Sequence, residues 1–128
     1  LIGGMTEIEL KQRTKIFARR VLRLIEALPT SRSGNIIAHQ LGRSGTSVGA
    51  NYRVVCRARS DADFYSKPGI VEEEADESAF WLELVVEERM LTPRRVQPLR
   101  DEADALTAIM VSSRKTLAAR KQNSKIKT

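Results

Sequence analysis

The sequence predicts an all-α fold, an antiparallel up-down-up-down four-helix bundle, on three observations. Apolar and small residues recur at alternating steps of three and four along four segments, the period of a helix with one inward stripe. The breaks between the segments are short, and short connections join antiparallel neighbours. The alternation of a strand appears nowhere at useful length.

Helix 1 is expected over about 7–28, on the stripe Leu10, Thr14, Phe17, Val21, Leu24, Leu28. The stretch "LPTSRSG", Leu28 to Gly34, separates it from helix 2, expected over about 34–58 on Ile37, Leu41, Ser44, Val48, Asn51, Val55, Ala58. Helix 3, over about 61–89, carries Phe64, Pro68, Val71, Ala75, Ser78, Leu82, Val85. Ser60 is offered as its N-cap, with Asp61 and Asp63 in the positive first turn. Pro68-Gly69 is the misfit, because a proline inside a helix lacks a donor and costs on the order of 3 kcal/mol. Yet the stripe keeps its phase from Phe64 through Val71, so the expectation is one helix kinked near Pro68. A break at Lys67, with Pro68 opening a new helix, is the alternative. Helix 4, over about 94–121, carries Leu99, Ala103, Leu106, Met110, Ser113, Leu117, with Thr92 as N-cap and Pro93 in its first turn. Residues 1–5 read as a disordered N-terminal extension, with Met5 the natural start, and 122–128 as a flexible basic tail.

With 41% hydrophobic and 30% charged residues, the 128-residue chain has the balance of one globular domain, and 5% aromatics leave its core mainly aliphatic. No apolar run approaches the roughly 20 residues that span a bilayer, and the N-terminus lacks the basic-then-apolar order of a secretory leader. A lone cysteine, Cys56, makes no internal disulfide, which fits a reducing cytoplasm. The net charge is +6, unevenly spread: +3 over 1–30, +5 over 31–60, −8 over 61–92 and +6 over 93–128. One acidic helix among three basic segments asks for a structural partner or a function.

The stretch "QLGRSGTSVGANYR", Gln40 to Arg53, holds three glycines. A phosphate loop of the Walker type needs Lys-Ser/Thr after its second glycine and a preceding strand; neither is present, nor is Gly-x-Gly-x-x-Gly. The stripe of helix 2 runs straight through, so Gly42, Gly45 and Gly49 belong to a helix, where each costs up to about 1 kcal/mol relative to Ala. Close backbone approach offsets that cost. Together with Ser44, Ser47, Ala50 and Asn51 they make helix 2 the crowded one, packed within the bundle and against another subunit, or within one chain alone.

"QLGRSGTSVGANYRVVCRARSDADF" followed by "GIVEEEADESAFWLELVVE" resembles the bacterial four-helix-bundle proteins encoded in intervening sequences of large-subunit ribosomal RNA genes, a family that includes the accessory proteins of diversity-generating retroelements. The likeness spans roughly Leu10 to Arg120. It implies an antiparallel bundle assembled into a homopentameric ring. Retroelement members are basic and are thought to bind nucleic acid and a reverse transcriptase, which makes RNA or DNA and a reverse transcriptase the partners to expect besides a second copy. The resemblance supplies no catalytic residue, and Pro68 stands where the family pattern has an apolar one.

The acidic run Glu72 to Glu77 invites a metal, but a di-iron bundle needs inward carboxylates from four helices and two Glu-x-x-His pairs, and the chain has only His39. No metal and no cofactor is expected. His39 has no Ser, Cys or Asp at a motif spacing, and Cys56 has no partner histidine, so no catalytic residue is assigned. The better use of the acidic run is pairing with the arginines of helix 2: Asn51 or Arg53 facing Glu73 or Glu77, within the chain or across subunits, with Trp81 filling a helix or subunit contact. The cations left over are Arg13, Lys15, Arg19, Arg20 and Arg23 on helix 1 and Arg114, Lys115, Arg120 and Lys121 on helix 4. They are the candidate nucleic-acid-binding residues, by salt-dependent contact with phosphates rather than base reading. The reading is therefore a non-enzymatic homo-oligomer that binds nucleic acid; the alternative is a structural or protein-docking module.

Overall fold

The computed structural model of the chain describes residues 4–57 and 61–127, and their side chains except those of 61–67, 117, 120, 121 and 124–127. Four helices follow one another: α1 (Glu7–Glu26), α2 (Arg32–Cys56), α3 (Asp61–Glu87) and α4 (Pro93–Lys127). Each packs on the next and α4 returns to α1, whereas the diagonal pairs do not meet among the described residues. That is the up-down-up-down bundle. The contact between α1 and α4 is the least extensive of the four.

Local chemistry sets the ends. Thr6 caps α1 in a reciprocal box: its hydroxyl accepts from the Glu9 amide at 3.1 Å, and the Glu9 carboxylate accepts from the Thr6 amide at 3.1 Å. Ser31 caps α2 by accepting from the Gly34 amide at 3.0 Å. Pro93 opens α4, where its missing N–H removes no helical bond. α3 closes on Arg89, whose φ of 57° is the left-handed turn that ends many helices, and the Met90 amide donates back to the Val85 carbonyl at 2.9 Å. The expected Ser60 cap lies outside the described residues. α4 continues to Lys127, across positions read from sequence as a tail.

Every α1 stripe residue is buried, and so are Ile37, Leu41, Ser44, Val48 and Val55 of α2. Val71, Ala75, Ser78, Leu82 and Val85 of α3 and Leu99, Ala103, Leu106, Met110 and Ser113 of α4 join them in one aliphatic core. α3 runs unbroken through Pro68, which is itself buried, so the alternative of a new helix starting there is set aside. Two positions differ from the stripe. Asn51 is half-buried and donates to the Ser47 carbonyl of its own helix at 2.9 Å; beside it Tyr52 is fully buried and is the largest such side chain. Strict heptad counting missed Tyr52 because glycines at 45 and 49 widen the inward face of α2 by one residue.

Candidate nucleic-acid and subunit interfaces

The glycines of α2 face α1. A Cβ on Gly45 would lie 2.7 Å from Val21 Cγ2 and 2.8 Å from its Cγ1, and one on Gly49 would lie 3.2 Å from the Thr14 carbonyl oxygen. Both glycines are buried. Gly42 has more room, its nearest neighbour being the far end of Ile25 at 3.4 Å. Thr14 answers its own polar group inside this contact, donating to the Leu10 carbonyl at 3.0 Å. Shape holds α1 on α2, and at Gly45 and Gly49 the crowding predicted for helix 2 is used within the chain.

Charge joins α3 to its two neighbours. Arg43 of α2 pairs with Glu74 at 3.3 Å and with Glu77, and Trp81 Nε1 donates to Glu77 at 3.4 Å. From α4, Arg114 meets Glu72 at 2.9 Å and Arg100 meets Glu83 at 2.7 Å. A buried hydroxyl bond, Ser78 to Ser44 at 3.0 Å, fixes the α2–α3 register. The partner of the acidic run on α2 is thus Arg43. Arg53, expected to face Glu73 or Glu77, is exposed on the α1 side of α2, because two turns and three residues separate it from Arg43 and swing it round the helix. Glu73 is exposed and unpaired among the described residues. Ser47 is half-buried and donates to the Arg43 carbonyl at 2.6 Å.

The basic candidates divide into two sets. Arg13 grips Glu102 of α4 with two parallel bonds of 2.8 and 2.7 Å, and this carboxylate raises the guanidinium's pKa. Arg114 is likewise held by Glu72. Both are turned towards the chain itself. Lys15, Arg19, Arg20, Arg23 and Lys115 form no ion pair among the described residues. The side chains of Arg120 and Lys121 lie outside those described.

Two hollows flank α1. An open groove of about 450 Å³ between α1 and α2 is floored by Ala18, Gly49 and Ala50 and edged by Lys11, Lys15 and Arg53. A smaller one of about 210 Å³, between α1 and α4, is lined by Arg20, Arg23, Arg95, Leu24 and Leu99, and sequence reasoning had not brought Arg95 into the set. Charge counting by helix could not find it, since Arg95 meets α1 only once the antiparallel pairing places the start of α4 beside the end of α1. Large apolar side chains also stay exposed, Ile8, Ile16 and Leu22 on α1, Ile36 and Val54 on α2, Ile70 and Phe80 on α3. Phe80 stands edge-on to Trp81, ring centroids 5.0 Å apart.

Elsewhere the chemistry is quiet. Among the described residues no cluster of three or more His, Cys, Asp and Glu is placed to hold a metal, and no helix is long and apolar enough to cross a membrane. Burial pushes the Cys56 thiol above its ordinary pKa, away from a thiolate nucleophile. The Tyr52 hydroxyl is buried without a hydrogen-bond partner, and burial raises its pKa above the usual tyrosine range; Cys56 lies near enough to add to the shift without completing a hydrogen bond.

Comparison with solved structures gives the same bundle. A crystal structure of a protein of unknown function from the S23 ribosomal protein family, from Bacteroides thetaiotaomicron VPI-5482, superposes with a TM-score of 0.76 at 31% identity, covering 82% of this chain and 97% of that one. Among curated proteins none matches. The profile of the 23S rRNA-intervening sequence proteins matches residues 6–112, from the Thr6 cap through three helices and into α4, and the chain belongs to that family.

Proposed function

We propose that this chain is a non-enzymatic, homo-oligomeric helical bundle of the cytoplasm that binds nucleic acid through the basic side of α1 and the adjoining part of α4. One observation carries the reading. Carboxylates of α3 take up arginines from α2 and α4, but α3 lies diagonally across the bundle from α1 and does not reach it among the described residues. Lys15, Arg19 and Arg23 are exposed and Arg20 half-buried, and none of the four forms an ion pair among the described residues. Phosphates are the fitting partner of such a surface, because each contact releases condensed counterions and the binding tolerates any sequence.

Self-assembly is supported by what the two remaining faces offer each other. The α1–α2 groove is basic at its edges and small-residue at its floor; α3 bears Glu73, Asp76 and Phe80 outward. A groove of one copy receiving α3 of the next is a heterologous contact, which closes into a ring when its rotation permits. Five subunits is the number the family likeness implies. The exposed apolar side chains of α1 and α2 also suit the second reading, a docking surface for a reverse transcriptase.

Labelled RNA and DNA, titrated at low salt and then through rising salt, test the main reading. Binding is expected, weakening linearly in the logarithm of salt concentration; no mobility shift for either polymer sinks it. Native mass measurement of Arg53→Glu tests assembly. A fall in oligomer mass is expected, and an unchanged mass removes the groove from the interface.

A further inference from the structure

We infer that the hollow between Arg20, Arg23 and Arg95 is an anchor for a single phosphate of a bound nucleic acid; the inference rests on the nucleic-acid reading above and names its first point of attachment. Three arginines from two helices line it, and none is engaged by a carboxylate among the described residues. Its floor, Leu24 and Leu99, is buried hydrocarbon, which keeps water away from one side of a charged guest and strengthens each contact. At about 210 Å³ it is smaller than the ~300–1,000 Å³ of pockets that enclose a whole small molecule, so it suits one group of a longer chain.

The placement of Arg95 fits this reading. It is the third residue of α4, a helix with no acid in its first turn, so a cation sits at the positive end of the helix dipole. Acidic residues are the stabilising choice at that position, as Glu7 and Glu9 illustrate on α1; α2 also opens on a cation, Arg32, with no acid in its first turn, so the helix end counts only together with the hollow. An anion lodged against Arg95 removes the penalty, and a phosphate does so while accepting the forked donors of arginine in pairs. Arg23, in the last turn of α1, is by contrast at ease with its own helix end. The hollow thus lies where the positive end of α4 meets two arginines of α1.

The test compares two double variants of the full chain that lose the same charge: Arg20→Gln with Arg95→Gln in the hollow, and Arg32→Gln with Arg57→Gln at exposed ends of α2. Single-stranded RNA is titrated against each over a range of salt, after circular dichroism has shown that both are folded. The hollow variant should bind about tenfold more weakly than the α2 variant, and its salt dependence should fall by about 0.7 in slope for each phosphate that it no longer neutralises. Equal losses in the two variants overturn the anchor and leave the nucleic-acid reading standing. A second measurement on the unmodified protein needs no mutation and no RNA. Inorganic phosphate is added while the side-chain Nε–Hε signals of the arginines are followed by NMR. Signals of Arg20, Arg23 and Arg95 should move at lower phosphate than those of Arg32 and Arg57. If all arginines move together, or none does, the hollow is no phosphate site. If these three move alone while RNA and DNA fail to bind, the phosphate site stands and the nucleic-acid reading falls.

Discussion

α1 and α3 form one of the two diagonal pairs that do not meet among the described residues, and they are held in the bundle by different means. α3 is joined by charge, with Glu72, Glu74, Glu77 and Glu83 each engaged by an arginine of α2 or α4. α1 is seated by shape, its Thr14 and Val21 pressed against the bare backbone of Gly45 and Gly49, and only Arg13 forms an ion pair with another helix among its described residues. The difference teaches what each helix has left to offer. A helix that docks through its charges has few remaining for a ligand; a helix that docks through glycines keeps them. In a four-helix bundle adjacency decides which charges cancel, and the diagonal position of α1 relative to the acidic helix leaves a positive side on a molecule whose net charge is only +6.

The largest effect should come from breaking the shape contact. Gly45→Ala drives a methyl to within 2.7 Å of Val21, a β-branched side chain with little freedom to turn aside. Overpacking of this kind costs about 1–3 kcal/mol, against a gain of up to about 1 kcal/mol in helix propensity, so a net loss of about 1–2 kcal/mol is expected in urea unfolding. Gly42→Ala, three residues away with room for its methyl, should instead stabilise the protein by about 0.5 kcal/mol. If both substitutions stabilise, α1 is not held by close approach and the contrast with α3 collapses.

How much of this was legible follows the same division. Periodicity is a property of single helices, so the four stripes, the Pro93 start and the uninterrupted phase across Pro68 could be read directly. Opposite charge on α2 and α3 was legible too, since the two are neighbours in sequence. Which arginine meets the carboxylates was not: Arg43 and Arg53 differ by ten residues, and only the phase of α2 against α3 selects the first. Nor could sequence say that Arg13 and Arg114 are tied down while Arg20 is left open, because Glu102 and Glu72 reach them across seams that exist only in the folded bundle. The glycines announced a close approach without saying to what. Tyr52 gave no signal because it falls one residue outside the alternating stripe that Asn51 satisfied.

That tyrosine is the next point at which to test shape against polarity. Its hydroxyl is buried and has no hydrogen-bond partner, and leaving such a group unsatisfied costs about 1–3 kcal/mol. Tyr52→Phe keeps the ring and removes the group, so a gain of up to about 1 kcal/mol is expected at neutral pH. The pH dependence gives a second readout. The folded pKa is raised above the unfolded value of about 10, so the folded state disfavours the phenolate; its stability is intact below that pH and declines as pH rises beyond it. Unfolding of wild type and variant should therefore diverge further above about pH 10, the variant losing less. Parallel curves would show that Tyr52 reaches water when the protein is folded.

The smallest effect sharpens the other side of the comparison. Arg43→Ala removes both bonds to Glu74 and Glu77, yet the pairs are solvent-exposed, and exposed pairs contribute about 0–1 kcal/mol each and fade as salt rises. A loss of about 0.5 kcal/mol at low salt, shrinking towards zero at high salt, is expected from urea unfolding. Arg13→Ala supplies the control, because its forked grip on the largely covered Glu102 bridges the sparse α1–α4 contact and its loss strands a carboxylate there. Its loss should be about 1 kcal/mol and less dependent on salt. Were Arg43→Ala the more costly of the two, α3 would be held by charge far more strongly than exposed pairs allow. The role of those carboxylates would then be stability rather than choosing which arginines the bundle keeps for itself and which it leaves facing out.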